Sequence, residues 1–246
     1  MGLQETCKKA GVNYCVTLPV ATDQKQVRHM NDRAISANML FPETGLLPFG
    51  AIHPDFSDWK QELTRLAHSG IKGIKIHPVF QKVNLNDLRY LHIMDKAAEL
   101  GLIILTHTGF DIDSPNEIFC TPKMILQVYQ DLGQIPLILA HMGGWRQWDE
   151  AEYLLAKTPF YLDTAYCLGS IIPLAGDTWT GGSLETMTQK QFLHFVKVFG
   201  AERLLFGSDS PWRYQKASVD EINSLPLSLE ERKAILGENA ARLLKL

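Results

Sequence analysis

Cysteine is scarce in this chain of 246 residues, with four copies scattered along it and no C-x-x-C pair. Cys7, Cys15, Cys120 and Cys167 therefore read as reduced thiols of a cytoplasmic protein, not as a disulfide framework or a structural zinc site. Long apolar runs are missing too. No stretch approaches the roughly 20 residues of a membrane-spanning helix, and the opening MGLQETCKKAG lacks the apolar centre of a signal peptide. Positive charge is not in excess: Lys and Arg number 24 against 27 Asp and Glu, for a net charge of −3. That balance argues against the clustered basic surface of a nucleic-acid binder. A glycine-rich turn after an early strand, the mark of a dinucleotide site, is also absent.

What is present is an alternation of apolar strands and amphipathic helices, with 46% hydrophobic residues overall. Strands are expected near 13–20, 46–52, 73–77, 102–107, 136–141, 160–166 and 203–207. Between them lie helices near 2–10, 24–37, 85–100, 122–132, 149–157 and 189–199, with a short one in SDWKQELTRLAHSG. Their ends carry local signals. Gly11, Gly70, Gly101, Gly133 and Gly200 can stop helices, Thr22 or Asp23, Thr121 and Thr188 can cap them, and Ser228-Leu-Glu-Glu231 is a capping box. A glycine-rich loop, 168–183, is long enough to cover a site. Strands that are apolar on both faces demand a parallel sheet covered by helices. The chain thus reads as a single α/β domain over 1–246, a TIM (β/α)8-type barrel, which typically needs about 250 residues.

Three of these strands end in chemistry. GLIILTHTG closes on His107, IPLILAHMGG on His141, and RLLFGSDSPW on Asp209. In a parallel barrel such residues gather at the C-terminal rim and form one site. GIKGIKIHP adds Lys75 and His77, two residues apart and hence on one face. Arg146 and Arg213 lie just beyond strand ends, where each can grip a substrate carboxylate. Asp163 ends another strand and is expected to bond either to backbone or to a histidine. Trp145, Trp179 and Trp212 can wall a pocket. His68, His92 and His194 fall in helices and read as surface residues, and His53 reads as structural or pocket-lining.

Taken in order, GIKGIKIHP, GLIILTHTG, LILAHMGG, YLDTAY, LLFGSDSPW and the closing GENAARLL resemble the amidohydrolase-related family over nearly the whole chain. That resemblance implies a metal-dependent barrel holding a divalent ion, usually zinc. By position, His107 matches the family's fifth-strand ligand and Asp209 its eighth-strand aspartate, which also moves protons. His141 matches the sixth-strand histidine, which contacts the reacting group or a second metal. The family's H-x-H pair on its first strand has no counterpart, so the reading finds seven strands and expects an N-terminally incomplete barrel. The implied activity is hydrolysis of a small-molecule amide, ester or lactone. The alternatives are non-oxidative decarboxylation on the same scaffold, or a truncated, inactive relative that only binds. A small-molecule partner is expected, with no nucleic acid and no membrane, and homo-oligomers pairing through their helices are compatible with the fold.

Overall fold

The computed structural model describes residues 2–41, 43–112, 114, 116–169 and 184–246. Its strands are β1 (Cys15–Thr17), β2 (Leu46–Pro48), β3 (Gly50–Ala51), β4 (Gly73–Ile76), β5 (Ile103–Thr106), β6 (Leu137–Leu139), β7 (Tyr161–Asp163) and β8 (Leu204–Leu205). All described ladders are parallel, β1 with β2 and then β3 through β8 in chain order. The eight segments make seven strand positions. The stretch expected over 46–52 changes partners at Phe49, so that β2 pairs backwards with β1 and β3 pairs forwards with β4. The Phe49 amide still donates to Thr17 O at 2.9 Å, which carries the first ladder through the break.

Helices cover the outer face, and their ends follow the expected caps. Those bearing on the site are α1 (Leu3–Lys9), α2 (Val27–Asn38), α3 (Trp59–His68), α4 (Pro78–Gln81), α5 (Leu88–Glu99) and α6 (Pro122–Leu132). Of the two candidate caps before α2, Asp23 is the residue used, in a capping box with Gln26. Thr121, Thr188 and Ser228 accept from backbone amides as the sequence implies. Two helices had no signal in the reading of the sequence, namely α4 and the segment Gln215–Ser224.

Strand alternation sorts the apolar residues into two cores. Ile74, Ile76, Ile104, Leu137 and Leu139 face the helices, whereas Phe49, Ile103, Leu105, Ile138 and Leu205 face the barrel interior. The C-terminal helix closes the lower end, with Leu244 packed into the inner core. Asn239 anchors it there by donating to Ala201 O (2.7 Å) and Leu204 O (2.8 Å). Among the described residues no ladder joins β1 to β8. Side chains of α1 and of the C-terminal helix border that gap, and one cavity of about 930 Å³ runs from it to the opposite rim. No described helix is long and apolar enough to cross a membrane.

Candidate active site at the C-terminal rim

The same alternation that builds the inner core aims the polar residues. Lys75 follows Gly73 on the inward side of β4, His77 comes next, and His107 continues the inward row of Ile103 and Leu105. In the β4–β5 register Ile76 sits opposite Thr106. The following residues, His77 and His107, are therefore neighbours, and their rings stack at 4.3 Å between centroids.

His141 breaks this parity, since the inward row of its strand is Ile138 and Ala140. Its backbone is left-handed (φ 56°), as are Met142 and Gly143 after it, and this turn brings the imidazole back over the cavity. Asp163 holds the turn, its Oδ1 accepting from the His141 amide and the Ala165 amide, each at 3.0 Å. Of the two roles open to Asp163, the structure shows the backbone one. Burial pushes its carboxyl pKa up, against the pull of His141.

His77 is fixed by a residue that the sequence did not flag. Gln81 Oε1 accepts from the His77 amide (3.0 Å) and the Tyr90 hydroxyl (2.5 Å). Its Nε2 donates to Ala21 O (2.8 Å) and Ile52 O (2.6 Å), so a single buried amide ties the end of β4 to its neighbours. Phe80 stacks on the other face of the His77 ring at 4.1 Å.

The second unflagged residue is Asp111, four residues past His107 on the loop after β5. Its Oδ2 lies 3.7 Å from His107 Nε2 and 3.8 Å from His77 Nε2. The H-x-x-x-D spacing in HTGFD was the available signal. One donor atom from each of His77, His107 and Asp111 falls within 4.8 Å of the others. A tetrahedral ion with bonds of about 2.1 Å separates its ligands by about 3.4 Å, so a small contraction lets this group hold a divalent metal.

The hydrogen bonds of the histidines bear on that fit. His141 Nδ1 is 2.9 Å from Ala165 O, His141 Nε2 is 3.1 Å from His107 Nδ1, and His107 Nε2 is 3.0 Å from Phe110 O. A neutral imidazole carries one N–H and one lone pair. Two neutral rings thus bring two protons to three contacts, and one contact is left with acceptors on both sides. With His141 donating to Ala165 O, two arrangements remain: His107 Nε2–H donates to Phe110 O and the contact between the rings has no proton, or His107 Nδ1–H donates to His141 and the bare His107 Nε2 faces the Phe110 carbonyl and the Asp111 carboxylate. In the second arrangement a cation at Nε2 relieves the repulsion. Burial holds the His77 and His107 pKa values well below the ordinary imidazole range, with Lys75 and the neighbouring histidines adding to the effect.

Lys75 is buried in the same cavity, and no hydrogen bond or ion pair joins its ammonium to another described residue. Burial lowers its pKa, while Asp163 and Asp209 pull the other way. Asp209 lines the cavity from the far side, exposed and in a left-handed conformation (φ 57°). The two arginines are already engaged: Arg146 pairs with Glu185 at 3.0 Å and lies over the rings of Phe110 and Trp145, and Arg213 pairs with Glu221 and the Leu168 carbonyl. Trp145 and Trp212 line the cavity, whereas Trp179 and most of the loop expected over 168–183 lie outside the described residues. His53 is buried away from the cavity lining, and His68, His92 and His194 are exposed on helices.

A parallel barrel with buried histidines, a lysine and carboxylates gathered at its C-terminal rim has them where barrels of this architecture place their sites. A family model described as amidohydrolase matches residues 17–246, and the chain belongs to that family. A search of curated proteins finds no match. Solved structures give the same fold at low identity. One is 2,6-dihydroxybenzoate decarboxylase from Rhizobium, with TM-score 0.70 and 17% identity over 98% of this chain and 86% of that one. A second is 5-carboxyvanillate decarboxylase from Novosphingobium aromaticivorans, complexed with manganese and 4-hydroxy-3-methoxy-5-nitrobenzoic acid, with TM-score 0.73 and 16% identity over 98% and 79% of the two chains. A third is a TIM-barrel protein from Bordetella bronchiseptica, with TM-score 0.74 and 19% identity over 98% and 80%.

Proposed function

We propose that this chain is a divalent-metal-dependent enzyme acting on a small organic acid, and that non-oxidative decarboxylation is the reaction its site supports best. The observation that carries this reading is Lys75. A buried ammonium without a partner is costly, and a substrate carboxylate entering the cavity supplies the missing charge. The decarboxylases among the solved neighbours act on aromatic acids, which is consistent with a cavity walled by Phe80, Phe110, Trp145 and Tyr166.

In this reading His107 is a metal ligand. A divalent ion supplies positive charge that orients substrate oxygens and stabilises developing negative charge. Zinc is the ion that the family resemblance implies, manganese is the ion bound in one neighbour, and the imidazole and carboxylate donors suit both. Lys75 holds the departing carboxylate, the aromatic walls exclude water, and Asp209, which lines the cavity, delivers the proton. The bond between the ring carbon and the carboxylate breaks, carbon dioxide leaves, and the ring carbon takes the proton. Hydrolysis of an amide, ester or lactone is the second reading. It is favoured by the exposed Asp209, which can accept a proton from an attacking water at the open side of the cavity.

The test is to reconstitute the chain with Mn²⁺ or Zn²⁺ and assay hydroxybenzoic acids for carbon dioxide release, beside a panel of lactones, esters and amides. Turnover of the acids, lost in Lys75→Met, is the expected result. Turnover confined to the second panel establishes hydrolysis, and metal-loaded protein inert on both panels leaves a binding protein.

A further inference from the structure

We infer that the carboxylate completing the metal centre is Asp111, joined to His77 and His107, so that the ion sits against the β4–β5 side of the rim and not across the barrel at Asp209. The inference rests on the metal-dependent reading above. Among the described residues this trio is the group of three donor side chains close enough to share an ion. All three side chains are well covered, at 9%, 6% and 12% exposure for His77, His107 and Asp111, whereas Asp209 is exposed.

The hydrogen bonds around His107 are compatible with that geometry. When His107 carries its proton on Nδ1 and donates to His141, the Nε2 lone pair, the Phe110 carbonyl and the Asp111 carboxylate face one another as acceptors, an arrangement that a cation turns from repulsive to attractive. His107 is then oriented as metal-bound histidines commonly are, with the ring nitrogen remote from the ion donating to a fixed partner. His77 is held from behind by Gln81 and between the rings of Phe80 and His107. His77 Nδ1 accepts a long contact from the Phe80 amide (3.5 Å), and ligation through Nε2 requires the ring proton to leave Nε2. Two imidazoles and one carboxylate leave coordination open on the cavity side, as a catalytic centre requires. Asp209 stays uncoordinated and available for proton transfer.

The experiment is a Co²⁺ titration of metal-stripped protein, followed by visible d–d absorption, with Zn²⁺ content after reconstitution measured by mass spectrometry. Wild type, Asp111→Asn, His77→Gln and Asp209→Asn are compared, and circular dichroism confirms that each is folded. The expected result is that Asp111→Asn and His77→Gln lose more affinity than the roughly 10–100-fold that changes behind a ligand cost, while Asp209→Asn keeps the wild-type affinity and spectrum. Should Asp111→Asn not fold, Asp111→Glu replaces it: an altered Co²⁺ spectrum supports ligation, and an unchanged one overturns it. Loss of metal in Asp209→Asn with retention in Asp111→Asn overturns the inference and leaves the metal-dependent reading standing. Absence of Co²⁺ and Zn²⁺ binding by the wild type overturns both.

Discussion

Lys75, His77 and His107 are polar groups held where an apolar core would be more stable, and this has measurable consequences. Replacing Lys75 by methionine removes a buried ammonium that lacks a partner among the described residues. The metal-free protein should therefore become more stable in urea, while a carboxylate-bearing ligand binds about 10- to 100-fold more weakly, the worth of a charge-assisted hydrogen bond. A mere space-filling role for Lys75 would leave ligand affinity unchanged in that titration. The two histidines act through pH. Their folded pKa values are depressed by burial, so the folded chain keeps them neutral while the unfolded chain takes up protons as pH falls through about 6.5. Stability is complete above that value and is lost below it, by up to about 1.4 kcal/mol per pH unit for each histidine, until the depressed folded values are reached. Denaturant unfolding of the metal-free protein at about pH 7.5 and about pH 5.5 should show the drop, and His77→Gln should shrink it.

At the scale of elements, two buried amides act as rivets between a helix and a strand end. Asn31 on α2 donates to Ala51 O (3.0 Å) and Glu62 Oε1 (2.9 Å), and its Oδ1 accepts from Ala51 N (2.7 Å). Asn31→Leu would leave the Ala51 backbone groups and one carboxylate oxygen buried without these partners, and should cost about 2–4 kcal/mol in chemical denaturation. Gln81→Met releases the His77 amide and two carbonyls in the same way, but its signature differs. Metal affinity should fall along with stability, because Gln81 holds a proposed ligand. The two cores differ as well. Ile104→Ala faces packed helices and should cost about 2–5 kcal/mol, while Leu105→Ala faces the cavity and belongs at the lower end of that range.

The molecule as a whole is a parallel barrel whose described ladder runs from β1 to β8 without closing. Strands bonded on one side open at lower cost than those bonded on both. Amide exchange should therefore be fastest in Cys15–Thr17 and Leu204–Leu205 and slowest in Ile103–Thr106, and uniform protection across all three would contradict this account of the gap. The cavity begins at that gap and reaches the histidines, so ligands that rigidify the rim should slow exchange at both edges together.

Much of this was legible in the primary sequence. The alternation of strands and helices, the apolar character of both strand faces and the capping residues imply a helix-covered parallel sheet, because period and turn chemistry are local properties. The same period of two assigns Lys75, His77 and His107 to the interior. His141 escapes that rule, for its side follows from three successive left-handed residues in a histidine-glycine turn. Gln81 and Asp111 were passed over, since an amide and a loop aspartate carry no periodic signal. What the tertiary structure alone decided is who stands beside whom. The spacing between His77 and His107 is set by the β4–β5 register, and Asp111 meets both because its loop folds back over that pair. Such distances depend on how strands align and where loops return, which the 29 residues of chain between the two histidines do not encode by themselves.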